Sequence, residues 1–160
     1  MDAIKLLKQQ HREVESLFEK FEKAGEGMRM ELFTRIADNL AAHCAIEEKI
    51  FYPSVYVDQT EDELREAVEE HLGAKRLIAD LLDMEAADAQ FVAKVSVLKE
   101  MILHHVKEEE GELFKQVRKL LTRAELNVLG EQMEAMFDNL IQTEPRKKVP
   151  SETDEAPPLE

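Results

Sequence analysis

At 160 residues and a formal net charge of −14, the chain has room for one domain with a sizeable core, and it is too acidic to favour nucleic acid or an anionic membrane surface. It is 44% hydrophobic and 35% charged, with five glycines, five prolines and no tryptophan, which is the composition of a helix bundle. The single cysteine, Cys44, excludes an internal disulfide framework. No signal peptide or apolar run of bilayer-spanning length is evident, so the expected location is cytoplasmic.

Hydrophobic periodicity predicts four long helices and a shorter fifth. The first runs from about Asp2 to Lys23, with Ile4, Leu7, His11, Val14, Phe18 and Phe21 on one stripe. "AGEG" (24–27) closes it, because glycine accepts the left-handed conformation at a helix C-terminus. The second spans about Met28 to Tyr52, with the stripe Phe33, Ile36, Leu40, His43, Glu47, Ile50, and Pro53 marks its stop. The third opens at "TEDE" (60–63), where Thr60 and Glu63 form a capping-box pattern. It runs to about Glu85 with Leu64, Val68, His71, Ala74, Ile78 and Leu81 inward. The fourth covers about Asp88 to Leu121, with Phe91, Val95, Leu98, Ile102, His105, Glu109, Leu113, Val117 and Leu120 on its stripe.

Thr122 and Glu125 make a second capping box and open the fifth helix, which reaches about Gln142. Residues 143–160 are charged, proline-rich and poor in large apolar groups, so they are expected to form a disordered tail. Short connections make neighbouring helices antiparallel. The expected fold is therefore all-α: an up-down-up-down antiparallel four-helix bundle with a shorter C-terminal helix over residues 1–142, followed by the tail.

Each of the four bundle helices places one histidine on its apolar stripe: His11, His43, His71 and His105. The second and fourth add a glutamate four residues on, Glu47 and Glu109, and that spacing stacks both side chains on one face. The order, a lone histidine and then H-x-x-x-E, occurs twice, and "HCAIEEKIF" echoes "HVKEEEGELF". Counted from the centres of the connections, the four histidines differ in height by about two residues, roughly 3 Å at ~1.5 Å rise per residue. They can therefore share one layer, with the glutamates about a turn away. Two buried carboxylates without partners would cost several kcal/mol each, and a bound cation offsets that cost. Four imidazoles and two carboxylates are too many for one tetrahedral zinc and suit two metal ions, with two histidines on each and both glutamates bridging. The donor set is compatible with iron, manganese or zinc; iron is favoured, because an open coordination position then permits redox chemistry.

This ordered set resembles the hemerythrin-like, or HHE cation-binding, domain, and the likeness covers about residues 1–140. The resemblance implies a four-helix bundle holding two iron ions as an oxo- or hydroxo-bridged non-haem di-iron centre. It implies binding of O2, NO or iron through His11, His43, Glu47, His71, His105 and Glu109. Oxygen-carrying members use five histidines. The four-histidine, two-glutamate set is more similar to members proposed to repair iron centres after nitrosative stress, and to bacterial iron or redox-stress members. The expected function is thus a di-iron protein that binds or senses O2, NO or iron. The alternatives are a redox enzyme acting on peroxide or O2 or in iron-centre repair, and a structural zinc protein.

Around this set, His104 offers a second frame with Glu108, but the stripe favours His105/Glu109 and leaves His104 at the surface or between helices. Glu108 and Glu110 are expected to be solvated, and Glu48 and Glu70 solvated or at most supporting the ligands. Ligating histidines need a partner for the second ring nitrogen, and the sequence does not identify one. Tyr52 and Tyr56 read as packing residues and Cys44 as a small helix-packing residue.

Overall fold

The computed structural model describes residues 1–160 and contains helices with no strand. Asp2 caps α1 (Ala3–Lys23) by accepting the Lys5 N–H at 2.8 Å. The turn into α2 (Glu26–Ile46) is made by Ala24 and Gly25 in extended backbone, and no glycine of the chain takes a positive φ. The glycine stop expected at 24–27 is therefore a sharp extended turn, not a left-handed cap.

The second helix does not end at Pro53. It passes through one wide turn with π-type hydrogen bonding, Glu47–Phe51, and resumes as Tyr52–Ser54. The wide turn leaves Pro53 in the first turn of a new α segment, where its missing N–H costs nothing. Ser54 Oγ donates to the Ile50 carbonyl at 2.7 Å. α3 (Glu61–Leu82) and α4 (Ala89–Glu108) follow, and α4 likewise passes through a wide turn, Glu109–Leu113, into Phe114–Leu120.

The expected box at α3 is absent. The buried Thr60 hydroxyl donates to the Val55 carbonyl at 2.7 Å and accepts the Val57 N–H at 3.1 Å, tying the connection together instead. The box at α5 (Arg123–Ile141) is formed, with Thr122 and Glu125 each accepting the other's N–H at 3.1 Å.

The interior is two apolar clusters with a polar layer between them. One holds Val14, Phe18, Phe33, Ile36, Ile78, Phe91 and Leu98; the other holds Ile4, Leu7, Ile46, Phe51, Leu64, Phe114 and Val117. α5 packs outside α1 and α2, placing Leu126 and Met133 in the second cluster.

The expected disordered tail is instead packed on the bundle. Glu144, the one residue with positive φ (55°), turns the chain into a 3-10 segment, Pro145–Glu152, that lies on α2 and α3. Val149 joins the first cluster and Leu159 the second. Arg146 pairs with Asp38 at 2.9 Å, and Arg76 donates to the Thr153 and Asp154 carbonyls. Composition alone missed this, because two spaced apolar residues are enough when a groove already waits for them.

Candidate metal centre

All six predicted site residues meet in the polar layer. His11, His43, His71, His105, Glu47 and Glu109 are each buried, Glu47 completely. The rings stand in two pairs, His11 with His43 at 5.0 Å between centroids and His71 with His105 at 4.8 Å.

The two carboxylates lie between the pairs. Glu47 Oε1 is 3.2 Å from His43 Nε2, 3.0 Å from His71 Nε2 and 3.7 Å from His105 Nε2. Glu109 reaches the other way, with Oε1 3.1 Å from His11 Nε2 and Oε2 3.5 Å from His105 Nε2. Two groups of donor atoms result, each compact enough to surround one ion: His11, His43, Glu47 and Glu109, and Glu47, His71 and His105.

The Nδ1 atoms face outward, and each has a partner on a neighbouring helix. Gln10 of α1 holds His43 at 2.7 Å, Glu48 holds His71 at 2.7 Å, Glu70 of α3 holds His105 at 2.8 Å, and Glu110 holds His11 at 2.6 Å. Each helix thus orients the histidine of the next, and the fourth orients that of the first. These bonds leave every Nε2 aimed at the centre. Glu48 is steadied by the buried Lys75 at 2.9 Å, and Glu110 by Arg12. Glu110, expected in solvent, is therefore part of the site, and Gln10 was not singled out at all. The signal was nevertheless present, since every partner stands directly beside a site residue: Gln10–His11, Glu47–Glu48, Glu70–His71, Glu109–Glu110. One position along a helix is about 100° around it, so each neighbour points at the adjacent helix.

Tyr52, fully buried, donates to Glu109 Oε2 at 2.6 Å and lies 3.4 Å from His71 Nε2. The wide turn at Glu47 rotates it inward. His104 points outward with its side chain 63% exposed, in keeping with the His105/Glu109 frame.

The electrostatics describe a nest built for positive charge. Burial pushes the Glu47 pKa up, but His43, His105 and His71 outweigh it and hold the carboxyl well below its ordinary range. Burial likewise pushes the His71 pKa down, and Cys44, Glu47 and Glu48 more than reverse this; Glu109, Glu47 and Glu70 do the same for His105. Both imidazoles end well above their usual value. Burial, with Glu109 and Glu47, raises the Tyr52 phenol far above 10.0, so it stays protonated.

Four buried atoms at the centre still lack a hydrogen-bond partner: His11 Nε2, His43 Nε2, Glu47 Oε2 and Glu109 Oε1. Orphaned donors and acceptors of this kind cost about 1–3 kcal/mol each unless something satisfies them. All four belong to one of the two donor groups, so these residues fit a bound cation. A void of about 20 Å³ adjoins all four histidines and is walled by Val14, Leu40, Ile102 and Val106, with Cys44 at its edge. It has room for about one water-sized molecule.

The family model of the hemerythrin HHE cation-binding domain matches residues 2–117, and the chain belongs to that family. A domain of this class binds metal cations. The crystal structure of a hemerythrin HHE cation-binding domain-containing protein from Mycobacterium kansasii shares the fold, with a TM-score of 0.81 and 23% identity over 96% of this chain and 94% of that one. A protein described as a DNA nickase from Nostoc sp. is 27% identical over 123 residues, 76% of this chain and 35% of its own length. This chain thus spans about a third of that relative. No helix is long and apolar enough to cross a membrane.

Proposed function

We propose that the six residues hold two iron ions and that the protein binds or senses a small ligand there, O2, NO or peroxide. The observation that supports this most is the pair of donor groups sharing Glu47, with all four Nδ1 atoms already engaged. His11 and His43 would hold one ion, His71 and His105 the other, and Glu47 and Glu109 would span both. An iron pair with an open position supplies reversible binding or reduction of such ligands.

The chain's own residues set what reaches it. The void has room for about one small molecule, and half of the residues that line it are apolar. The partners of Nδ1 fix the ring planes and raise ligand basicity. The acidic surface speaks against a nucleic-acid partner.

A second reading, reduction of peroxide or O2, is favoured by Tyr52. Its buried hydroxyl donates to Glu109 and would offer a hydrogen bond to a group reacting beside that carboxylate.

Metal analysis and visible spectra under O2, NO and peroxide test both readings. We expect two irons per chain. A band reversible with O2 or NO supports binding or sensing, and rapid peroxide consumption supports the enzyme. A colourless zinc protein indifferent to all three rejects both. His71→Ala and Glu109→Ala should each lose metal and thermal stability together, because metal binding is coupled to folding.

A further inference from the structure

We propose that Glu70, His104 and Glu108 form a third, exposed site for a divalent transition-metal cation, at the mouth of an acidic groove that delivers the ion to His105 and Glu109. The donor atoms of the three residues lie within 4.8 Å of one another. His104 Nε2 is 3.0 Å from Glu108 Oε1 and 3.5 Å from Glu70 Oε2. One imidazole with two carboxylates suits iron(II), manganese(II) or zinc better than calcium, which takes oxygen ligands.

Two independent features point from this cluster inward. The first is a groove of about 220 Å³ between α3 and α4. Glu66, Glu70, Glu108 and Glu112 line it, no lysine or arginine does, and the buried His105 and Glu109 close its inner end. The second is Glu70 itself, whose two oxygens face opposite ways. Oε2 faces His104, and Oε1 accepts from His105 Nδ1 at 2.8 Å. A cation held outside is thus one side chain from a residue of the buried centre.

Two of the other faces are covered. α5 lies over α1 and α2, and the 3-10 segment lies over α2 and α3. Converging carboxylates repel one another until a cation neutralises them, and a cleft of one sign concentrates the opposite ion and speeds its arrival. With three exposed donors and water completing the shell, the site captures a cation without storing it.

Delivery rests on the buried six-residue set being the destination, so the test reads the two places separately. The metal-free full-length protein is titrated with Mn2+ and followed by electron paramagnetic resonance. The buried pair gives an exchange-coupled signal and the outer site a separate mononuclear one, filled at higher Mn2+. His104→Ala and Glu108→Gln should remove only the mononuclear signal and leave the melting temperature unchanged.

In rapid mixing with Fe2+, the double variant should load at least about tenfold more slowly than wild type. The gap should narrow at high salt, and the final occupancy of the buried pair should be equal. A wild type with no mononuclear Mn2+ signal, variants that retain it, or equal loading rates would overturn the proposal; the last two would mark His104–Glu108 as an ordinary surface pair. A mononuclear signal alone, lost in His104→Ala, keeps the outer site and rejects the buried pair.

Discussion

Glu47 shows how a single residue acquires its meaning from its surroundings. A buried carboxylate is costly alone, and here it is held by three histidines from three helices. In the metal-free protein the contacts with His71 and His105 are ion pairs, and the pH dependence follows from them. His71 and His105 have folded-state pKa values above 6.5, so the stability they add is complete below that value and is lost as pH rises through the raised folded values. Glu47 has its value lowered below 4.5, so its contribution is present above 4.5 and is lost as pH falls through the lowered value. The metal-free protein should therefore melt at lower temperature as pH climbs above neutrality. A cation must displace the imidazole protons, so the stabilisation it gives should grow over the same range. Calorimetry of both forms across pH checks this. A metal-free protein that becomes more stable toward alkaline pH contradicts it, and proton release on loading gives an independent count.

At the scale of the helix, the two wide turns do the most to shape the site. Each begins at a site glutamate and inserts one extra residue, which rotates everything after it by about 100°. Phe51 and Tyr52 therefore turn inward while Ile50, on the expected stripe, is only half-buried. In α4 the phase change buries Phe114 and leaves Leu120 39% exposed. Beyond Glu47 the straight 3.6-residue period fails at Ile50 for this reason, whereas beyond Glu109 the expected Leu113 and Val117 stay buried and only Leu120 leaves the core.

Another element-scale feature is the crossing of the chain's start over α5. A Cβ on Gly130 would lie 2.0 Å from the Met1 carbonyl oxygen and 2.8 Å from the Ala3 nitrogen. Glycine to alanine inside an exposed helix usually gains about 0.5–1 kcal/mol. Here the obstacle is backbone, so Gly130→Ala should cost about 1–3 kcal/mol and loosen the N-terminal end of α1. Denaturant melts give the sign, and a stabilised variant would mean the crossing is easily displaced.

At the scale of the whole molecule, the last 16 residues act as a strap. They run from the Val149 cluster to the Leu159 cluster, past the level of the site, and are anchored by Arg146–Asp38 and Arg76. A chain ending at Gln142 exposes both apolar sockets and should lose about 2–4 kcal/mol, given ~1.5–3 kcal/mol for each buried aliphatic side chain. In the intact protein the strap should resist proteases; cleavage there as fast as in a flexible peptide contradicts the packing.

The sequence by itself determined the helices, the bundle and which six polar residues turn inward. Periodicity is a local property, and a doubled H-x-x-x-E with matching lone histidines is hard to place anywhere but one layer. The tertiary structure decided the ring of Gln10, Glu48, Glu70 and Glu110, the inward turn of Tyr52 and the fate of the tail. Each depends on what a neighbouring helix presents. A carboxylate is solvated or structural according to whether an imidazole nitrogen stands within about 3 Å, and a weakly apolar tail is ordered or free according to whether a socket is open to it. Local pattern carries no information about either until the helices are packed.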